Sequence, residues 1–494
     1  MIVTPDDDQY DDLTRGFNQR WVSRPEYINL VHSASDVQRT VRDAVRAGKK
    51  IAVRSGGHAY EDFVDNPKTQ VIIDLSEFKK VTYDAERRAF AVNAGATLGE
   101  VYETLFKRWG VTIPAGSCPS VGAGGHVAGG GYGPLNRRYG LSSDYLWAVE
   151  VVVVDHRGRP RRVVASRDSD DATHRDLWWG HTGGGGGNFG VVTRYWFRSP
   201  EATGTDPEQL LPEPPEDVWV STVAWPWDRM TEESFSRLMK NYGGWTATHS
   251  APGSPYAGLF SHLNTTHQAA TAITLTTQMD ATAPQAEQLL EDFIAAVAEG
   301  VGVAPQPREH RKLPWWHATN WPGLFGGDPT GRADFKSAYL RTNFTDAQVA
   351  AFYRHLTRSD FQNPAAVVQI VTYGGRTNTI PPDATAVSHR DSIMLLHFLV
   401  AWGNEVDDAV NLAWIREFYR DVFADTGGVP VPNDVTDGCF INYADIDLSD
   451  PAWNTSGVPW YELYYKGNYP RLQQVKATWD PTDVFHHAQS IELP

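Results

Sequence analysis

Residues 115–135 read "AGSCPSVGAGGHVAGGGYGPL" and residues 54–63 read "RSGGHAYEDF". The first stretch holds Cys118, one of only two cysteines in 494 residues, inside a loop dense in glycine. The second sets His58 directly after a glycine pair, at the end of the apolar run "IAV". A third such loop, "HTGGGGGNFGVVT", occupies 181–193. Glycine removes the Cβ and permits positive φ, so successive backbone N–H groups can converge on an anion such as a pyrophosphate. Tight turns at strand ends give one such loop as readily; three within the first 195 residues point to a dinucleotide. Neither G-x-x-x-x-G-K-[ST] nor G-x-G-x-x-G followed by a helix and an acidic residue is present. The nucleotide therefore calls for a fold other than the P-loop or the doubly wound sheet.

Around these loops the chain reads as a globular protein of two or more domains, with 41% apolar residues and room for a large core. A formal charge of −16 and the lack of a long Lys/Arg run argue against nucleic acid. No apolar stretch approaches the roughly 20 residues of a membrane helix, and residues 1–12 lack the regions of a signal peptide, so a cytoplasmic location is expected unless a leader was trimmed. Cys118 and Cys439 allow at most one disulfide, and no Cys/His spacing suits zinc, so no metal is expected. The 18 Trp, 20 Tyr and 20 Phe suit both ordinary cores and surfaces that stack flat rings.

Periodicity predicts an amphipathic helix after Ser35 as N-cap, with Gly48 as its stop, and a second in "LGEVYETLFKRWG" closed by Gly110. "IAVRSGG" and "QVIIDLS" read as strands, and "AVEVVVVD" (148–155) as a strand covered on both faces, central in an α/β sheet. The acidic, proline-rich stretch at 200–215 reads as a linker or surface crossing. Beyond it, "GLFSHLN", "AITLTTQMD", "AAVVQIVTYGG" and "SIMLLHFLVAWGN" predict strands, and "APQAEQLLEDFIAAVAEG" and "TDAQVAAFYRHLT" predict helices covering one face of their sheet. The tail "YPRLQQVKATWDPTDVF" is expected to dock back on the first domain.

Taken together, "RSGGH", "PAGSCPSVGAGGHVAGGGYG", "GGGGGNFGVVT", "INYADIDL" and "YYKGNYPRLQQVKATWDPTDVFHH" resemble, in order and across nearly the whole chain, the berberine-bridge-enzyme branch of the vanillyl-alcohol-oxidase flavoproteins, and within it the bacterial hexose oxidases of glycopeptide-antibiotic pathways. The resemblance implies an α+β fold: a two-part FAD-binding domain (1–205 and 421–494) and an α+β substrate domain (206–420) whose antiparallel sheet is covered by helices. It implies FAD carried covalently on His58, at the flavin 8α carbon, and on Cys118, at C6. It further places Arg54, Ser55, Gly56, Gly57, Val121, Gly122, Gly124, Gly125, His126, Gly129, Gly130, Gly131, Gly187, Asn188, Gly190, Val191 and Asn442 about the cofactor, with His126 structural or beside the flavin phosphates.

Two tethers on the ring should raise its potential and leave its face open to bulky substrates. Oxidising an alcohol needs a base for the hydroxyl proton. By resemblance Tyr443 fills that role with Tyr132 as phenolic partner, whereas Phe440 stands where some relatives carry tyrosine. His397 stands where plant members often have Gln or Glu, and it competes as base or as a substrate contact with Gln369 and Tyr373. Each of these side chains could equally be a satisfied structural group. The resemblance also implies that Val121 borders the approach of O2, a position where valine accompanies oxidases and a bulkier residue dehydrogenases. The expected function is an FAD oxidase that converts an alcohol or lactol of a sugar or glycosylated natural product to a carbonyl or acid, with O2 reduced to H2O2. An oxidative cyclase or desaturase of a polyketide or alkaloid is the alternative, and a binding module without turnover a distant third. The sequons at Asn264, Asn343 and Asn454 matter only in a secreting eukaryote.

Overall fold

The computed structural model describes residues 1–324 and 331–494. Three sheets organise the chain. A four-stranded sheet runs in the order Ile2–Val3, Tyr27–Leu30, Val71–Asp74, Ile51–Arg54, with the last three mutually parallel. A five-stranded antiparallel sheet runs Val81–Asp84, Ala89–Asn93, Val191–Phe197, Leu146–Val154, Pro160–Ser166. The valine-rich strand is interior and buried almost throughout, as its composition predicts. It does not share a sheet with "IAVR": each of its neighbours is antiparallel, and a continuous apolar run reports two covered faces rather than strand direction.

The helix Ala34–Arg46 contacts strands of both sheets and buries Val37, Val41 and Ala44 between them. Its N-cap is Ser33, whose side chain accepts from the Asp36 N–H, and not Ser35, which lies inside the first turn. Gly48 follows its end at φ +65°. The helix Leu98–Trp109 carries a reciprocal Thr97/Glu100 capping box and ends at Gly110 in the left-handed region. Both arrangements satisfy backbone groups that a helix end leaves open.

The third sheet is antiparallel, in the order Gln306–Pro314, Asp217–Pro226, Ala272–Asp280, Leu259–Thr266, Ala366–Thr372, Met394–Trp402, Arg332–Leu340. The helices Glu232–His249, Ala286–Ala298, Asp346–Leu356 and Asp408–Val422 pack with one another and against its strands. The two outermost strands escape a periodicity reading. "QPREHRKLP" is a charged, mostly exposed edge, the composition that keeps an edge from pairing with another chain. "RADFKSAYL" buries Asp334 and Lys336, which only their ion pairs permit. The stretch at 200–215 is no free linker either: Leu210 and Leu211 are buried, and the Thr112 N–H donates to the Pro212 carbonyl. The C-terminal helix Tyr469–Trp479 packs on the helix Ala172–Gly180.

Candidate active site

The glycine loops meet backbone to backbone. Gly56 and Gly122 lie so close that a Cβ on either would collide with the other's main chain. Ser55 fixes one side by donating to the Ala94 carbonyl and accepting from the Gly124 N–H. Gly57 turns the chain at φ +73° and His58 follows. Its Nε2 lies 3.0 Å from the Ser120 hydroxyl, which is also 3.4 Å from the Cys118 sulfur. One serine thus gathers the two side chains that sit 60 positions apart in sequence, and Phe17 stacks on the imidazole at 4.4 Å.

These residues border a cavity of about 690 Å³. Ser55, Gly56, Gly57, Gly122, Gly124, Gly125, His126, Gly187, Asn188 and Gly190 contribute to its wall, as do Val121 and Asn442. Gly125 and Gly186 line it with nothing within 4 Å of where a Cβ would stand. Asn188 organises the third loop through bonds to the Gly184 and Gly185 carbonyls and accepts from the Ile491 N–H, so the C-terminus locks that loop. Gly129, Gly130, Gly131 and Val191 stand behind the wall. Gly130 and Gly131 hold positive φ there, and a Cβ at Gly129 would strike Asn442, whose amide donates to the His126 carbonyl. Arg54 also lines the cavity, but its guanidinium is committed to Asp74 at 2.8 Å and is buried. Burial pushes His126 down to about 4, and its Nε2 accepts from the Gly116 N–H, so it is a neutral brace for the loop and offers a phosphate no charge.

Opposite the loops stands the seven-stranded sheet. Phe260 and His262, Phe335, Val367 and Gln369, and His397 and Leu399 reach the cavity at alternate positions of their strands. Between loops and sheet, the Tyr132 and Tyr443 hydroxyls lie 2.6 Å apart. Phe440 meets both rings edge-on and gives the pair a dry flank. Burial pushes both phenols above their usual value near 10. The shared hydrogen bond favours the pair's first ionisation, since the oxygen that loses its proton keeps the other's O–H. His397 stacks on the Tyr443 ring at 4.1 Å, and burial pushes its imidazole down to about 3. Tyr373 lies fully buried, edge-on to Tyr132, and does not line the cavity: its ring supports Tyr132 and is out of reach of a substrate.

Tyr60, Ser120 and His262 are among the wall residues that the sequence reading leaves without a role. Tyr60 stacks on Phe335 at 3.6 Å and on Tyr443 at 5.5 Å, joining the His58 loop to the sheet. Its position two residues after His58 is the available signal. Ser120 and His262 have none, because each is ordinary in its local sequence.

Lys336 explains how the Tyr443 segment is held. Its buried ammonium donates to Asp445 at 2.8 Å and Asp447 at 2.6 Å, and Arg416 grips Asp447 through two bonds of 2.8 Å. Glu61, three residues after His58, accepts from the Ile446 N–H. Burial, with the Asp334 and Asp445 charges nearby, raises Glu61 well above the usual carboxyl range. It ties the first loop to the last segment.

The chain is similar along its whole length to known flavoproteins. Residues 25–162 match the FAD binding domain model, and residues 439–492 match the model described as berberine and berberine like. The chain is 54% identical to the aclacinomycin-N/aclacinomycin-A oxidase of Streptomyces galilaeus, over 99% of this chain and 89% of that protein. It is 32% identical to the hexose oxidase of Chondrus crispus, over 99% and 94%. Among solved structures, a glycopeptide hexose oxidase complexed with teicoplanin superposes with a TM-score of 0.95 at 49% identity, covering 100% of this chain and 98% of that one. Among the described residues no helix is long and apolar enough to cross a membrane. The chain belongs to the berberine-bridge-enzyme-like family of the vanillyl-alcohol-oxidase superfamily and is an FAD-linked oxidase acting on CH–OH groups.

Proposed function

We propose that this oxidase acts on a sugar hydroxyl or lactol of a glycosylated natural product, turning CH–OH into C=O while O2 becomes H2O2. The observation that carries this reading is the Tyr132–Tyr443 pair at 2.6 Å, set between the His58/Cys118 loops and the open sheet face. The names of the relatives, an aclacinomycin oxidase and hexose oxidases, support the substrate class.

The residues present fit FAD. The cavity encloses about 690 Å³, bare glycine lines it at Gly125 and Gly186, and an imidazole and a thiol converge on Ser120 in its wall. In this reading His58 and Cys118 both carry the flavin, the loops of 1–205 with the segment 421–494 hold it, and 206–420 receives the substrate. When bound, FAD supplies the two-electron acceptor that O2 reoxidises. Tyr443 accepts the substrate hydroxyl proton, with one phenolate shared across the pair and stabilised by the partner's O–H. His397, held far below neutrality by burial, is too weak a base to keep that proton and serves as a hydrogen-bond acceptor. Phe335, Tyr60 and Leu399 keep water from the reacting face.

The test is a peroxide assay across free sugars, glycosylated polyketides and glycopeptides, compared with sugar-free polyketide alcohols. Turnover confined to the sugar-free compounds overturns the reading. Acid precipitation tests the attachment: yellow colour should stay with the pellet in wild type, His58→Ala and Cys118→Ala, and leave it in the double variant. Release from wild type would rule out a covalent bond.

A further inference from the structure

A single rung of polar side chains crosses the sheet above the cavity. Thr274 is registered with Asn264, Asn264 with Gln369, and Gln369 with His397, on four neighbouring strands. Residues directly opposite in a sheet share a face, so these side chains form one row. The row is hydrogen-bonded end to end. The Asn264 amide donates to the Thr274 hydroxyl at 3.2 Å, the Gln369 amide donates to the Asn264 carbonyl oxygen at 3.2 Å, and His397 Nδ1 meets the Gln369 carbonyl oxygen at 3.3 Å. His397 lines the cavity, is 5% exposed, and its Nε2 has no partner in the protein.

A neutral imidazole has one donor and one acceptor nitrogen. Burial keeps His397 neutral, at about 3, and keeps the adjacent His262 neutral at about 4, so neither presents a cation to the cavity. The direction of the row then decides what His397 offers. With each amide donating outward toward Thr274, the Gln369 oxygen must accept, the imidazole proton sits on Nδ1, and Nε2 is a bare lone pair. Reversing the row would turn both amides and leave an Nε2–H buried without an acceptor, which is rarer and more costly than an acceptor left unused.

We propose that the rung Thr274–Asn264–Gln369–His397 fixes His397 as a hydrogen-bond acceptor facing the cavity, so that this face selects substrates presenting a hydroxyl or N–H donor and rejects the same position carrying an ether or carbonyl oxygen. The inference rests on the reading above that this cavity face receives the substrate, and it adds which chemical group is recognised there. An O-methyl ether or ketone at that position would set an oxygen lone pair against the Nε2 lone pair, with no proton to share. Sites built to bond a substrate O–H reject analogues lacking it by as much as about 10⁴-fold, so discrimination of at least about 10²-fold is expected. Gln369 and Asn264 are positioning residues, acting through the ring they orient.

Two measurements test this, and the first needs no substrate. In holoenzyme labelled with ¹⁵N-histidine, long-range ¹H–¹⁵N correlations, assigned by difference from His397→Gln, should show Nδ1 protonated and Nε2 unprotonated. A protonated Nε2 means that the row runs the other way and overturns the proposal, whatever the peroxide screen finds. In the second, the sugar substrate found by that screen is compared with its singly O-methylated derivatives. One derivative should lose at least about 10²-fold in kcat/KM with wild type, and Gln369→Leu should reduce that preference by at least 10-fold while shifting the ¹⁵N pattern to a tautomer mixture. Preference unchanged in both Gln369→Leu and His397→Phe overturns the proposal. Should Gln369→Leu not fold, Gln369→Met removes the same amide with less change of shape and should give the same tautomer mixture and the same reduced preference; an unchanged tautomer and preference there also count against it.

Discussion

At the residue scale the proposed chemistry rests on two phenols that share one hydrogen bond. Tyr443→Phe keeps the ring that stacks on His397 and Tyr60 but removes the proposed proton acceptor. Flavin reduction by substrate, followed in a stopped-flow instrument, should slow by on the order of 10²-fold or more. Tyr132→Phe should act differently. It withdraws the O–H that stabilises the Tyr443 phenolate, so the alkaline rise of kcat should move to higher pH, with a smaller loss at the plateau. A collapse in His397→Ala with activity retained in Tyr443→Phe would reassign the base to histidine. Val121 poses a question of volume. It lines the cavity three residues after Cys118, and its carbonyl accepts from the Leu98 N–H, which fixes where its side chain stands. Val121→Leu adds one methylene to that wall. Reoxidation by O2 should slow far more than reduction by substrate, and an artificial electron acceptor should restore turnover. Equal slowing of both half-reactions would mean that Val121 only supports the loop.

At the scale of elements, the "RSGGH" loop is held from below by charge. Arg54 pairs with Asp74 at 2.8 Å and approaches Asp65 at 3.9 Å. Burial nevertheless outweighs the Arg54 attraction and pushes Asp65 up to about 6, against an unfolded value near 4. A carboxyl whose folded pKa lies above its unfolded one binds more protons when folded. Its favourable contribution is therefore complete below about pH 4 and is lost as pH rises toward about 6. Asp65→Asn removes that dependence. Relative to wild type it should gain stability between pH 4 and pH 6, by at most about 2–3 kcal/mol. Chemical unfolding of both proteins at the two pH values measures this, and a constant difference would show that Asp65 titrates in the fold as it does in the unfolded chain.

At the scale of the molecule, one buried charge cluster joins parts that are far apart in sequence. Lys336 belongs to the seven-stranded sheet, Asp445 and Asp447 follow Tyr443, Arg416 lies on a covering helix, and Glu61 belongs to the His58 loop. Lys336→Met would leave Asp445 buried beside Asp447 without its cation. Breaking one partner of such a group costs about 3–5 kcal/mol. Thermal unfolding should fall accordingly, and the surviving folded protein should show weakened Tyr443-dependent reduction. A variant as stable and active as wild type would mean that the cluster has no part in holding the segment.

Much of this was legible in the chain alone. The helix Leu98–Trp109, with its box and its Gly110, and the buried strand around Val149–Val154 are set by local patterns that no distant contact needs to supply. The glycine loops announced a dinucleotide for the same reason, because close backbone approach requires glycine wherever it occurs. The tertiary structure decided what depends on distance. It alone brings His58 and Cys118 to one hydroxyl, joins Tyr132 to Tyr443, makes Arg54 a brace for its loop, and withdraws Tyr373 behind the wall. It also admits the charged strand Arg332–Leu340 to a buried sheet, since the ions that offset Asp334 and Lys336 come from other parts of the chain. Patterns of period 2 and 3.6 record which face an element buries, whereas a hydrogen bond between residues hundreds of positions apart leaves no mark on either neighbourhood.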